Sequence, residues 1–299
     1  MKSPAQLPPL PGIGLKPEHY AQALQSASAS ISTPLAAPAW LEVHPQNYFG
    51  AGGPPHRWLS AAFEAYPISF HSVGLSLGSA SGGDTTELDQ LAQLCARYEP
   101  AMVSDHLSWS GSASNRYPDL LPVPYTDQTL GHFAAQVGRV QDRLKRRILI
   151  ENPSRYLAFA GDEMDEGDFL HLLCERAGCG LLLDINNIEV SATNLGFDSV
   201  AMIDGIDPDL VGEVHLAGHA REDFGDSMLL IDDHGSAVSE LTWALFARFV
   251  RRAGRIPVLI EWDTAVPDYA ILLAEAAKAE AIMREHAHFG PQDQAYACA

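Results

Sequence analysis

Cysteines, basic residues and long apolar runs are all scarce in this chain of 299 residues. Its four cysteines show no CxxC spacing, which predicts buried or free thiols and not a disulfide framework: Cys95, Cys174, Cys179 and Cys298. Lys and Arg number 19 against 38 Asp and Glu, and the formal net charge of -19 disfavours nucleic acid and anionic membrane surfaces as partners. No apolar stretch reaches the roughly 18 residues that a membrane span needs.

The N-terminal stretch 1–11 also lacks the apolar segment of a secretory signal, which makes the cytoplasm the expected location. A hydrophobic fraction of 46% with 19% charged residues is typical of a globular chain with a sizeable core. The excess of acidic residues can also serve a function, because carboxylates bind cations.

Short apolar runs alternate with longer helical patterns along the chain, as in βα units around a parallel sheet. The predicted strands are 12–15, 41–43, 68–73, 102–107, 148–150, 180–185, 211–216 and 258–262. The clearest helical patterns are 86–98, 129–147, 239–254 and 268–285. Eight strands with crossover helices predict an α/β fold, a closed (β/α)8 TIM barrel and not an open doubly wound sheet. We expect one barrel domain at 12–288, with flexible segments at 1–11 and 289–299.

Residues that can bind metal fall at the C-terminal ends of six predicted strands. In a parallel barrel these ends converge on one face, where active sites are built. The strand-end residues are His71, His106, Glu151, Asp184, His215 and Glu261, and the loop after the seventh strand adds Asp232 and His234. Imidazole and carboxylate without thiolate suit iron, manganese or zinc, and eight or more donors are too many for one ion.

Any one of these residues, taken alone, is more often a hydrogen-bonded structural group than a metal ligand. Their coincidence on six strands favours a shared site. Glu151, Asp184 and Glu261 would repel one another and lose solvation, so the cluster needs cations to remain ionised. We therefore expect two or three ions that share bridging carboxylates.

The glycine-containing stretch 74–79 (GLSLGS) could suggest phosphate binding or a serine nucleophile. It lacks the lysine of a phosphate-binding loop, and Ser76 has no separate histidine partner once the strand-end histidines are assigned to metal. A tight strand-to-helix loop that passes close to the site is the favoured interpretation.

Seven motifs carry a resemblance to a known family. They are LEVHPQNY at 41–48, HSVGLS at 71–76, SDHLSW at 104–109, ENPS at 151–154, LDINN at 183–187, VHLAGH at 214–219 and LIEWD at 259–263. From about residue 12 to residue 274 the chain resembles the multinuclear non-heme iron-dependent oxidative enzymes. This family includes the methanobactin biosynthesis oxidase and the UPF0276-type proteins.

The resemblance implies a xylose isomerase-like barrel with two or three iron ions and dioxygen as co-substrate. The implied substrate is a cysteine-containing precursor peptide made by the ribosome (a RiPP precursor). Its cysteines would be oxidised to an oxazolone with a thioamide, or to a thiooxazole, either of which binds copper. We therefore expect a role in copper binding or metal stress, with a peptide-recognition protein as a candidate partner.

The resemblance also assigns residues. The implied metal ligands are His71, His106, Glu151, Asp184, Asn187, His215, Asp232, His234 and Glu261. Three of them are the expected catalytic residues: His106, Glu151 and Asp184. Residues expected to contact the substrate or to orient a ligand are Glu42, His44, Asn47, Asp105, Asn186 and His219.

One segment departs from the family pattern. Many members carry Asp-Thr-His-Asp-His-Pro after the seventh strand, where this chain has DDHGSA at 232–237. The first Asp and first His are kept, which supports a third metal position, whereas the missing second His puts some substrate contacts in doubt.

Two other functions stay open. One is a redox-silent divalent-metal isomerase, epimerase or phosphoesterase, although no basic residue falls at the strand ends that carry the motifs. The other is a non-catalytic iron-binding accessory protein, which the altered loop at Gly235 and Ser236 would suit.

Overall fold

A computed structural model describes residues 6–27, 37–111, 115–225 and 228–286 of the chain. Its strands are β1 Pro11–Gly14, β2 Leu41–Val43, β3 Ile68–His71, β4 Met102–His106, β5 Trp109–Gly111, β6 Arg116–Leu121, β7 Leu149–Glu151, β8 Gly180–Asp184, β9 Val211–Leu216, β10 Ala220–Asp223, β11 Met228–Ile231 and β12 Val258–Ile260. Its helices are α1 Tyr20–Ala27, α2 Pro54–Ala65, α3 Thr85–Tyr98, α4 Asp127–Leu144, α5 Glu166–Ala177, α6 Ile185–Leu195, α7 Ser199–Gly205, α8 Glu240–Ala253 and α9 Tyr269–His286.

Eight parallel strands close into a barrel in the order β1-β12-β9-β8-β7-β4-β3-β2. Each of them overlaps one predicted strand, and the predicted (β/α)8 TIM barrel is confirmed. Neighbouring strands are in register near their C-terminal ends, where His106 pairs with Glu151 and Asp184 pairs with His215. This register brings side chains from different strands to one level of the barrel.

The helices cover the barrel with apolar faces, as the periodicity predicts. In α4 the buried residues recur at helical spacing: Leu130, Phe133, Val137 and Val140. The four clearest helical patterns correspond to α3, α4, α8 and α9, with ends that differ by a few residues. The strands are buried on both faces, so they appear in the sequence as short apolar runs.

Two antiparallel hairpins were not predicted. β5 pairs with β6 after barrel strand β4, and β10 pairs with β11 after barrel strand β9. Both connections leave C-terminal ends of barrel strands, so the hairpins belong to the face where the metal-capable residues converge. β6 has mostly exposed residues, without the apolar alternation of a half-buried strand, which explains why the pattern did not predict it.

The expected flexible N-terminal segment is in part packed against the barrel. Leu7 is buried with Trp40 and Leu259, and Leu10 hydrogen-bonds through its carbonyl to the indole of Trp40. Residues 1–5 and the whole expected C-terminal tail 289–299, with Cys298, lie outside the described residues. Over the described ranges, no helix combines the length and the apolar character required to cross a membrane.

Candidate metal centre

The C-terminal ends of six barrel strands place the predicted residues around one mouth. His71 ends β3, His106 ends β4, Glu151 ends β7 and Asp184 ends β8. His215 lies within β9, and Glu261 directly follows β12. All six are at most 5% exposed. Buried imidazoles and carboxylates therefore meet here.

The first group consists of His71, His106 and Glu151. The Oε2 atom of Glu151 lies 3.2 Å from His71 Nε2 and 3.3 Å from His106 Nε2. The Nδ1 atom of His71 is 2.8 Å from Ser104 Oγ, which orients the ring. One carboxylate oxygen thus contacts two imidazole nitrogens, and His71 and Glu151 also form a candidate metal group with His215, whose ligand atoms lie within 4.8 Å of theirs.

Burial controls the charges of the first group. Burial lowers the pKa of His71 well below its ordinary value, and the nearby His106 lowers it further. Burial also lowers the pKa of His106, to about 4. Burial also holds the pKa of Glu151 well above its usual range. Neutral imidazoles are the form that binds metal, and a cation would supply the charge that favours the Glu151 carboxylate.

The second group consists of Asp184, Glu261 and His234, joined by Asp232. Glu261 Oε1 lies 3.5 Å from His234 Nδ1, and Asp232 Oδ1 lies 2.6 Å from His234 Nε2. Asp184, His234 and Glu261 offer ligand atoms within 4.8 Å of one another. Burial, with Asp232 nearby, raises the pKa of Asp184 to about 7.

His215 lies between the two groups. Its Nδ1 is 3.1 Å from Glu261 Oε2, and its other ring nitrogen, Nε2, faces Glu42 and Glu213. Burial opposes a charge on His215, but the carboxylates around the ring outweigh it and raise the pKa. Glu213 was missed in the sequence, although it lies two residues before His215 on one strand and therefore on the same face.

The two adjacent asparagines have different contacts. Asn187 donates through Nδ2 to Glu151 Oε1 at 3.2 Å and to the Asn152 carbonyl at 3.0 Å. Asn186 donates to Asp232 Oδ1 at 2.9 Å, and its Oδ1 lies 2.8 Å from His219 Nδ1. The side-chain oxygen of Asn187 therefore stays available, whereas that of Asn186 is used.

Several buried oxygen and nitrogen atoms of the centre, all of them potential metal ligands, have no hydrogen-bond partner among the described residues. They are Glu42 Oε2, Glu151 Oε2, Asp184 Oδ2, Asn187 Oδ1, His106 Nδ1 and His234 Nε2. Buried polar atoms are normally paired, so four unpaired oxygens around one mouth indicate an additional binding partner. Oxygen and imidazole donors fit a hard or borderline metal ion. The candidate metal groups among the described residues contain no cysteine.

The remaining predicted residues surround this centre. The pair Asp105 and His106 is joined by a 2.7 Å bond from the His106 amide to Asp105 Oδ1, and Asp105 Oδ2 accepts from the Leu75 amide. Asp105 thus ties the 74–79 loop to β4. Ser76 in that loop accepts a hydrogen bond from the Ser110 amide, which is a structural contact.

A cavity of about 290 Å³ opens beside Glu261. His44 and Asn47 line it, together with Lys16, Asp263 and Tyr48. Lys16 lies just past β1 and forms an ion pair with Asp263, so the mouth does contain a basic residue that the strand-end pattern did not reveal.

The altered loop at 232–237 still reaches the centre. His234 adopts a left-handed backbone conformation with φ of +48°. Its carbonyl accepts hydrogen bonds from the amides of Asp263 and Thr264 at 2.9 and 3.2 Å. A Cβ at Gly235 would lie 2.7 Å from Thr264 Oγ1, so a larger residue here would displace that side chain. Strained conformations of this kind persist where surrounding contacts hold a functional group in place.

A family model described as "RiPP precursor modification enzyme MbnB/TglH/ChrH" matches residues 10–284. The chain belongs to this family. Membership supports an enzyme that modifies a precursor peptide by metal-dependent chemistry, and the resemblance seen in the motifs is confirmed.

Relatives of similar length support the assignment. A UPF0276 protein of Caulobacter vibrioides is 45% identical over 286 residues, which cover 94% of this chain and 99% of that protein. A UPF0276 protein of Paraburkholderia phytofirmans is 47% identical over 247 residues, covering 82% and 80% respectively.

Solved structures show the fold. A D-psicose 3-epimerase matches with a TM-score of 0.57 at 13% identity, covering 93% of this chain and 99% of the epimerase. Endonuclease IV from Thermus thermophilus matches with a TM-score of 0.55 at 16% identity, covering 92% and 99%. The barrel is thus of the expected xylose isomerase-like kind.

Proposed function

We propose that this protein is a multinuclear iron enzyme that uses dioxygen to oxidise cysteine residues of a ribosomally made precursor peptide. The observation that carries the proposal is the pair of buried groups at one mouth, His71, His106 and Glu151 beside Asp184, His234 and Glu261. The family supplies the peptide substrate, and the donor set supplies the argument for iron.

The number and kind of donors support more than one ion. His215 and Glu261 lie between the two groups, and Glu151 and Glu261 each face two imidazoles. Carboxylates in such positions can bridge neighbouring ions. Imidazole with carboxylate suits iron, and the unpaired oxygens of Glu151, Asp184 and Asn187 are donors without another role.

Iron, when bound, would supply the activation of dioxygen and the electron transfer. The chain's own residues hold the ligand side chains and orient them. Asn187 fixes Glu151 by its 3.2 Å hydrogen bond, and Asn186 fixes Asp232, which contacts His234. In this proposal the expected catalytic residues His106, Glu151 and Asp184 act as ligands, and their burial keeps bulk water from the reacting groups.

The cavity beside Glu261 gives the peptide a route to the centre. His44 and Asn47 both line this cavity, so both can contact a peptide backbone that passes the mouth. His44 is held there by a 3.4 Å contact from its Nε2 to Asp263 Oδ2. Modified cysteines that form an oxazolone with a thioamide, or a thiooxazole, would bind copper, which makes metal protection the proposed role.

The test is anaerobic loading of purified protein with Fe(II), followed by oxygen and a cysteine-containing precursor peptide. We expect more than one iron per chain and a change in peptide mass that a serine-for-cysteine peptide does not show. Protein from iron-replete cells that contains only zinc, or no metal, would contradict the proposal.

A redox-silent epimerase or phosphoesterase remains the alternative, and Lys16 at the mouth is the observation in its favour. Such an enzyme would act with Mn, Zn or Mg and leave the peptide mass unchanged. A non-catalytic iron-binding protein would load iron and also leave the peptide unchanged. The oxygen-dependent mass change therefore separates both from the oxidase.

A further inference from the structure

A second cavity, of about 690 Å³, lies between the loop after β7, the first half of α5 and the α6–α7 segment. The proposed function does not use it. Its apolar wall is made of half-buried side chains: Met164, Leu195, Phe197 and Met202. Ligand cavities commonly have volumes of about 300–1,000 Å³ and a mainly apolar lining with a few polar groups. The cavity therefore has the size and the wall of a binding site.

The polar lining of this cavity is acidic. Besides the exposed imidazole of His171, it has one buried guanidinium, Arg155, against five carboxyl groups: Asp162, Asp165, Glu166, Asp168 and Asp198. Arg155 lies 3.3 Å from Glu166 and 3.5 Å from Asp162, so its charge is compensated within the wall. Asp165, Asp168 and Asp198 are exposed at the rim. The rim therefore favours a ligand that carries a positive charge.

Tyr125 is a buried polar side chain in the lining of the same cavity. The guanidinium carbon of Arg155 lies 4.5 Å from the centre of its ring. The Tyr125 hydroxyl has no hydrogen-bond partner among the described residues. Buried hydroxyl groups are normally paired, so this one is available to bond a ligand group.

An exposed apolar strip connects the cavity to the mouth of the barrel. Arg155 and Ala158 line the cavity, and Tyr156 and Leu157 between them are 42% and 46% exposed. The Tyr156 hydroxyl accepts a hydrogen bond at 3.0 Å from the amide of Asp232, which belongs to the candidate metal centre. Exposed apolar residues next to one another often mark a binding surface. A peptide chain that reaches the centre can follow this strip to the cavity, which favours a peptide over a small ligand.

We propose that this cavity anchors the precursor peptide by an apolar side chain next to a lysine or arginine, in a segment other than the cysteines that are oxidised. The inference rests on the proposed function, because it assumes a peptide substrate. The apolar side chain packs against Phe197 and Met202, and the basic group lies at the carboxylates of the rim. A second contact of this kind raises the effective concentration of the cysteines at the mouth.

The first experiment measures binding of short, cysteine-free fluorescent peptides by anisotropy. The probe has alternating leucine and lysine, and the comparison peptides have glutamate in place of lysine or serine in place of leucine. We expect the wild type to bind the leucine–lysine peptide most tightly. Ala201→Trp fills the cavity from an exposed position on α7 and should weaken this binding at least about tenfold. Asp168→Lys should weaken it about three- to tenfold at low salt and less at high salt.

The matched controls are Ala135→Trp and Asp142→Lys. Both positions are exposed on α4 and outside the cavity lining, so these variants should bind the probe as the wild type does. The second experiment follows oxidation of the precursor peptide. Ala201→Trp and Asp168→Lys should raise the KM and leave kcat and iron content unchanged, because the anchor lies away from the reacting groups. Circular dichroism checks that each variant is folded.

The results separate the anchoring site from the proposed function. Equal binding of the lysine and glutamate peptides, or wild-type binding by folded Ala201→Trp and Asp168→Lys, would overturn the anchoring site. A precursor-peptide KM that stays unchanged in both variants would overturn it too, and would leave the oxidase intact. A wild type that oxidises no cysteine-containing peptide would overturn the proposed function, whatever the probe peptides show.

Discussion

Replacing Glu151 with Gln distinguishes a metal ligand from a structural residue. The Oε2 atom of Glu151 is within 3.3 Å of both His71 Nε2 and His106 Nε2, and Oε1 accepts from Asn187 at 3.2 Å. Gln keeps the shape and the acceptor toward Asn187. It removes the negative charge and converts the oxygen that both histidines face into an amide nitrogen, which does not bind metal as a carboxylate does.

We expect this variant to lose iron and to stay folded. Burial already holds the pKa of Glu151 well above its usual range, so a neutral group at this position suits the metal-free fold. Rearranged hydrogen bonds change the free energy of unfolding by about 1 kcal/mol. For domains of roughly 150–250 residues this corresponds to a Tm change of only about 2–4 °C. The loss of one donor oxygen and its charge should remove at least one iron per chain.

The assay is iron per chain after anaerobic loading, with peptide mass change for activity and circular dichroism for folding. Glu166→Gln makes the same chemical change at another buried carboxylate, 3.3 Å from Arg155 Nη1. Breaking this buried pair should reduce stability by about 3–5 kcal/mol and leave the iron content unchanged. A folded Glu151→Gln protein with full iron and full activity would refute the reasoning from strand ends.

Three further predictions concern the second group, proton competition and the metal-free protein. His234→Ala should lose one iron equivalent while the group around His71 keeps its own, as measured by elemental analysis; unchanged iron content would exclude His234 as a ligand. Because burial raises the pKa of Asp184 to about 7, protons compete with metal, and Co(II) affinity should rise from pH 6 to pH 8 in titrations; a flat profile would contradict this. In metal-free protein, burial raises the pKa of Asp184 to about 7 and, with Glu42 nearby, that of Glu213 to about 8, so the folded state binds protons that the unfolded state releases. The free energy of unfolding, measured in urea titrations, should therefore fall from about pH 6.5 to pH 8. A rise over this range would contradict the raised pKa values of these two buried carboxyl groups.

The barrel could be predicted because its signals are local. Apolar runs such as 41–43 and 180–184 belong to strands buried on both faces, and α4 and α8 have clear helical periodicity. The hairpins were not predictable in the same way, because exposed residues such as those of β6 follow no strand pattern. Strand ends were correct within a few residues, which was sufficient to place metal-capable side chains at the mouth.

The sequence by itself determined the fold class and the strand ends that carry imidazoles and carboxylates, because strand burial and residue type are local properties. Tertiary structure decided which of these side chains meet. The ion pair of Lys16 with Asp263 joins residues 247 positions apart, and the contact of Glu42 with His215 joins β2 to β9. It also decided that Asn187 keeps a free oxygen while Asn186 does not. Such contacts depend on barrel closure and on register between distant strands, which no local pattern encodes.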